Sequence, residues 1–178
     1  YCATCDGARY KGRRVVVVGG GNSAVTDALT LSKICEHVTL VHRRDALSAT
    51  QVYHAQIEKA GNITFIGASD VIAIEHDRKV TGVVIRSKET GETARIPCDG
   101  LFIAIGRRPV TELFAGQVEM DENGYIVAGE TTETSVPGVF AVGDVRTKLA
   151  RQVITAAADG AVAAKSVESY LRTLQLSF

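Results

Sequence analysis

Cys2 and Cys5 stand two residues apart in the stretch YCATCDG, and Asp6 follows the second directly. Three chemistries use such a pair: metal binding, a structural disulfide, and electron exchange between a dithiol and a disulfide. Zinc needs two more thiolate or imidazole ligands nearby. There is no second CxxC, and the histidines, His37, His42, His54 and His76, show no HxxxH-type spacing. A disulfide closed across two residues forms a small, strained ring that is easy to reduce. Asp6 is placed to handle a proton during exchange. A redox-active pair is the favoured reading. Cys35 and Cys98 lie inside apolar, regular stretches and read as small buried hydrophobes.

A second cluster of chemically useful residues is the glycine run in RRVVVVGGGNSAVTDALTLSKI. Gly19, Gly21 and Ala24 fit the pattern G-x-G-x-x-A. In that pattern the first glycine permits a tight turn and the second lets a pyrophosphate approach the backbone. The small third residue lets helix and strand pack closely. The start of the following helix offers N–H groups and a positive dipole end to phosphates. A dinucleotide with a free ribose 2′-OH usually meets a carboxylate at the end of the next strand. Here that place is taken by His42, Arg43 and Arg44, with no carboxylate before Asp45. Two guanidiniums match a 2′-phosphate in charge and in fork geometry, so NADP(H) is favoured over NAD(H).

These residues need elements to hold them. Arg14 to Val18 is a continuous β-branched run, as in a strand buried on both faces. A helical pattern over 22–34 and a second buried strand in HVTLVHRR complete a βαβ unit. A further helix spans ATQVYHAQIEKAG and stops near Gly61. ITFIG and DVIAIEHD read as strands, and residues 79–99 as a hairpin turning at Glu89–Gly91. GLFIAIGRRP is a last strand that runs into a domain boundary. Beyond it, residues 110–178 hold two or three short strands, and then a helical pattern from Thr147 that only Gly160 interrupts. That is little to bury a core of its own.

The 178 residues are 46% hydrophobic with a formal net charge of zero, enough for one domain or two small ones. Neutrality gives no electrostatic case for nucleic acid or an anionic membrane, and no apolar run is long enough to span a bilayer. Four cysteines in a chain of this length do not make a secreted disulfide scaffold, so a reducing, cytoplasmic setting is expected.

The order CATCDG, GGGNSA, VHRR, AIGRRP, VPGVFAVGD and a later RQ resembles the low-molecular-weight thioredoxin reductases, over essentially the whole chain. The resemblance implies an NADPH-dependent flavoprotein that passes electrons through FAD to the CxxC disulfide and on to thioredoxin, working as a homodimer. It implies an α/β fold. Residues 1–106 would be a Rossmann-like, three-layer NADPH-binding domain carrying the CxxC and crossed by a β-hairpin or meander. Residues 107–178 would be the incomplete, returning part of a split FAD-binding domain. The chain begins at Tyr1, its only methionine is Met120, and it has one glycine turn where the family has two. A missing N-terminal FAD segment, and little activity without it, are therefore expected.

The same resemblance assigns roles. Cys2 and Cys5 become the redox pair, with Cys5 on the flavin side, and Asp6 the acid that protonates the departing thiolate. Gly19, Gly21, Asn22, Ser23 and Ala24 become the pyrophosphate turn, and His42, Arg43 and Arg44 the 2′-phosphate site. Ala104, Ile105 and Gly106 lie beside the nicotinamide end. Gly143 and Asp144 hold the ribityl and phosphate region of FAD, and Arg151, Gln152 and Val153 lie near the flavin ring. The bland alternatives are a turn former for Asp6, a turn or helix cap for Asp144, and solvated helix-start residues for Arg151 and Gln152. Arg107 and Arg108 read as surface charges.

Two positions depart from the family pattern. HRRxxxR loses its third arginine to Ser48, at about 1–2 kcal/mol of discrimination, the worth of a charged hydrogen bond. Val153 replaces the usual alanine. Two other functions compete: an NADPH-binding module without catalysis, and the flavoprotein subunit of an alkyl hydroperoxide reductase. The arginines at the second strand count against the latter.

Overall fold

The computed structural model describes residues 2–175; Tyr1 and residues 176–178, the outer ends of the two expected segments, lie outside the described residues. The chain forms two compact units that divide between Gly106 and Arg107.

The first unit opens with a single helical turn, α1 (Ala3–Asp6), which runs into a 3-10 turn at Gly7–Tyr10. Then come β1 (Arg14–Val18), α2 (Asn22–Ser32), β2 (His37–Val41), α3 (Gln51–Lys59) and β3 (Ile63–Ile66). Three antiparallel strands follow, β4 (Ser69–His76), β5 (Val80–Ser87) and β6 (Thr93–Pro97), and β7 (Gly100–Ile103) closes the unit. The parallel sheet has the order β3-β2-β1-β7, and β4-β5-β6 form a meander.

Side-chain alternation along the buried strands explains the layering. Val15 and Val17 of β1 and Val38 and Leu40 of β2 pack with Ala24, Val25, Ala28 and Leu31 of α2. Val16 and Val41 point to the opposite face and pack with Val83, Ile85 and Cys98 from the meander and its exit. The parallel sheet thus lies between a helical layer and an antiparallel layer, and a run of β-branched residues suits a strand covered on both sides. Each fully buried valine or leucine contributes about 1.5–3 kcal/mol.

The second unit is built differently. It holds 3-10 turns at Glu112–Phe114 and Gly143–Val145 and one long helix, α4 (Val153–Gln175). The two or three expected short strands are absent among the described residues. Only isolated bridges form, Met120 with Ile126, Ile126 with Arg146, and Glu133 with Phe140. Side chains take up N–H groups that a ladder would have used. Ser135 Oγ accepts from Glu119 N–H, Asp121 Oδ1 from the N–H groups of Asn123 and Tyr125, and Thr147 Oγ1 from Ala128 N–H. The buried apolar cluster is small: Ile126, Ala128 and Ala141, with Val118 and Met120 against them.

The last helix begins at Val153, six residues after its expected start. Thr155 Oγ1 accepts the Gln152 N–H at 3.1 Å, and its one O–H has the carbonyls of Ala150 and Gln152 within reach at 3.1 and 2.9 Å, which fixes the first turn there. Gly160 passes inside the helix without a break. No described helix is long and apolar enough to cross a membrane.

Candidate functional site

Cys2 and Cys5 are joined by a disulfide with their Cα atoms 5.2 Å apart, whereas Cys35 and Cys98 are free and buried. Cys2 is the N-cap of α1, and its sulfur accepts the Cys5 N–H at 3.1 Å. The pair has a firm base. Ala3 is buried, and a Cβ on Gly7 would meet Leu31 of α2 at 3.0 Å and Ile34, just past that helix, at 3.2 Å. Tyr10 fills the space above Gly100 and meets the Phe102 ring edge-on at 5.3 Å. The disulfide side thus needs small residues at 3 and 7. Asp6 is half exposed, with Arg9 at 4.0 Å.

A cleft of about 730 Å³ opens at the C-terminal ends of β1, β2 and β7. This is a topological switch point: the chain leaves β1 toward β2 on one side, and β7 lies on the other. Gly19, Gly21, Asn22, Ser23, His42, Arg43, Arg44, Ala104, Ile105 and Gly106 all line it. Ala24, the remaining residue of the predicted turn, is buried beneath. A Cβ on Gly19 would run into the Ala104 carbonyl and come within 2.9 Å of the Ala24 methyl, and Gly19 has φ +142. Gly21 differs. Its φ is −83 and a Cβ there would meet only Ser48 Oγ, at 4.0 Å, so its open side faces the cleft. No side chain caps the start of α2.

His42 is buried, with its ring against Gly20, and its Nε2 has no hydrogen-bond partner among the described residues. Burial first, and then the charges of Arg44 and Arg43, hold its pKa below the ordinary histidine value. Its ring is therefore neutral near pH 7, and the positive charge of this strand end belongs to the two exposed arginines. The loop that carries them is pinned on both sides. Ser69 and Ala68 N–H groups donate to the carbonyls of His42 and Arg44 at 3.0 and 2.9 Å. Ser48 and Ala49 N–H groups donate to the Gly20 carbonyl at 2.8 and 3.0 Å.

Ser69, Asp70 and Val71 also line the cleft, as do Ser48 and Thr50. Nothing local in the sequence marks the β4 residues, because the meander brings them there. Asp70 is the one carboxylate among the lining residues, and Lys88 lies 3.4 Å from it.

In the second unit, Gly143 adopts φ +75 and donates its N–H to Asp159 Oδ2 at 2.8 Å. Arg146 binds both oxygens of the same carboxylate, at 2.9 and 2.8 Å, and Lys148 binds Oδ2 at 2.7 Å. All three charged side chains are about nine-tenths buried. Arg151 lies over the Tyr125 ring at 3.8 Å and reaches the carbonyls of Asp144 and Arg146 at 3.4 Å. Val153 is exposed at the start of α4. Asp159, which no sequence motif marks, thus fixes Gly143 and Arg146, and Arg151 is tied to the same turn through the carbonyls of Asp144 and Arg146. Arg108 pairs with Glu112 at 3.1 Å on the surface.

A family model described as pyridine nucleotide-disulphide oxidoreductase matches residues 1–160. The chain belongs to that family. Thioredoxin reductase of Coxiella burnetii is 48% identical over 97% of this chain, and that of Streptomyces clavuligerus 45% identical over 98%. The crystal structure of thioredoxin reductase from Streptococcus pyogenes superimposes with a TM-score of 0.91 at 40% identity, covering 97% of this chain. The chain spans 54% to 57% of the length of these relatives. This family member is α/β, as its motifs predicted, with a parallel sheet and an antiparallel meander in its first unit.

Proposed function

We propose that residues 1–106 form the NADPH-binding, disulfide-bearing domain of a thioredoxin reductase, and that residues 107–178 supply part of its FAD site. The observation that carries this reading is the cleft at the switch point. It joins a glycine turn to two exposed guanidiniums, on the same unit as the Cys2–Cys5 disulfide. The residues fit NADPH. The open side of Gly21 and the uncapped start of α2 would take the pyrophosphate, with Asn22 and Ser23 beside it. Arg43 and Arg44 would hold the 2′-phosphate, while His42 packs under Gly20 and shapes the pocket. Ile105 and Gly106 would flank the nicotinamide end. Asp70 would not oppose the phosphate strongly, because Lys88 offsets its charge.

Gly143, Asp144, Arg151, Gln152 and Val153 would meet FAD. Bound NADPH and FAD would supply hydride donation and a two-electron relay, chemistry that side chains lack. The chain's own step is thiol exchange. In the reduced pair, one thiolate attacks a sulfur of the thioredoxin disulfide, forming a mixed disulfide and releasing one thioredoxin thiolate. The second cysteine then attacks the first, closes Cys2–Cys5 and releases the other, with Asp6 supplying the proton. A homodimer and a cytoplasmic setting complete the reading. They are supported by the family and by free thiols at Cys35 and Cys98.

A single-turnover experiment tests the exchange step. The chain is reduced, freed of reductant and mixed with oxidised thioredoxin, and thiols are counted by alkylation and mass spectrometry. One thioredoxin disulfide should be reduced per chain, with only Cys2 and Cys5 becoming protected. Cys2→Ser and Cys5→Ser should each stop the transfer. No transfer, or transfer that survives both substitutions, would overturn the reading. NADPH alone, without flavin, should not sustain turnover.

A further inference from the structure

The turn assigned to the pyrophosphate and the loop assigned to the 2′-phosphate are distant in sequence but joined in space. Three hydrogen bonds cross between them. Two are backbone bonds to the Gly20 carbonyl, from Ser48 and Ala49. The third comes from a side chain: Asn22 Oδ1 accepts the Thr50 N–H at 2.9 Å. Thr50 is the N-cap of α3, and no side-chain bond caps that helix. The residue predicted to touch pyrophosphate therefore has its amide oxygen committed to the far end of the arginine loop.

We propose that Asn22 is a positioning residue that couples the two phosphate subsites, fixing the loop of Arg43 and Arg44 through Thr50 and so setting the preference for the 2′-phosphate. The proposal rests on the NADPH reading of the cleft. An arginine fork gains affinity only when its backbone is held in one place, because ordering a mobile loop at the moment of binding costs free energy. The loop end nearer His42 is held by bonds to Ala68 and Ser69, and the other end by Gly20 and Asn22. Of these anchors, the Asn22 bond is the one a side-chain substitution removes.

NADPH and NADH share the pyrophosphate and differ in the 2′-phosphate, so their affinity ratio separates contact from positioning. If Asn22 only touches pyrophosphate, Asn22→Ala weakens both nucleotides equally. If it positions the arginine loop, NADPH loses several-fold to about tenfold more than NADH, the worth of one hydrogen bond. Thr50→Pro provides the independent arm. Thr50 has φ −60, which proline adopts, so the change deletes the N–H and leaves Asn22 in place. Both positions are exposed, and circular dichroism checks that each variant folds.

Calorimetric titration of the 178-residue chain and both variants with NADPH and NADH decides the matter. The expected result is a fall in the NADPH-to-NADH affinity ratio in both variants. A wild-type preference for NADPH with an unchanged ratio in Thr50→Pro would overturn the coupling alone. Equal wild-type affinities would overturn the NADPH reading itself, and the coupling with it.

Discussion

The two units use their charged residues in opposite ways. In residues 2–106, cohesion comes from valines and leucines on both faces of a parallel sheet, and Arg43 and Arg44 remain exposed at a strand end. Neither arginine forms an ion pair among the described residues. In residues 107–175, paired strands are missing and the apolar cluster is small, so a buried carboxylate with two cations holds the turn at Gly143. Cations that scaffold are already committed. Cations on a unit that is held together by other means stay available to an anionic ligand.

The largest effect of a single substitution should therefore fall in the second unit. Asp159→Ala leaves Arg146 and Lys148 buried without their partner, which costs about 3–5 kcal/mol. Hydrogen exchange should show faster opening at 107–175 and unchanged protection of β1 and β2. The same group gives the unit an acid limit. Hydrogen bonds from Arg146, and further ones from Lys148 and Gly143, hold the Asp159 pKa well below its ordinary 3.8 despite burial. The unfolded chain binds that proton more readily, so the stabilisation is complete above about pH 4. It is lost as pH falls below 3.8 toward the folded value. Unfolding followed against pH should show the second unit weakening first over that window.

In the first unit the corresponding weak point is steric. Gly19→Ala would drive a methyl into the Ala104 carbonyl at a backbone angle that favours glycine. A cost of about 1–3 kcal/mol is expected, with loss of nucleotide binding. Unchanged affinity for NADPH would show that the turn yields more than its packing allows. The smallest effect should come from Ser48→Arg. Ser48 lines the cleft, and a third guanidinium there should tighten NADPH by about 1–2 kcal/mol while leaving NADH alone.

The same contrast decides what the sequence could reveal. Arg14–Val18, the glycine turn and the start of α2 were legible because strand burial, turn and helix start each leave a local pattern. The meander was legible from its turn residues, but its place across the sheet was not, so Ser69, Asp70 and Val71 went unseen in the cleft. In sequence Asp159 is one polar residue within a helical stretch. Its burial depends on Arg146 and Lys148 reaching it across a turn, and no periodicity signals that. The late start of α4 has the same origin, because the Thr155 hydroxyl fixes it rather than an apolar repeat. His42, Arg43 and Arg44 all line the cleft, and the packing of the His42 ring against Gly20 is a detail that adjacency in sequence does not show.

If the exposed arginines make this an NADPH site, calorimetry on the 178-residue chain will show it. NADPH should bind more tightly than NADH, and Arg43→Ala with Arg44→Ala should remove the difference while leaving NADH affinity nearly unchanged. Equal affinity of the unaltered chain for the two nucleotides would mean that Arg43 and Arg44 do not select the 2′-phosphate.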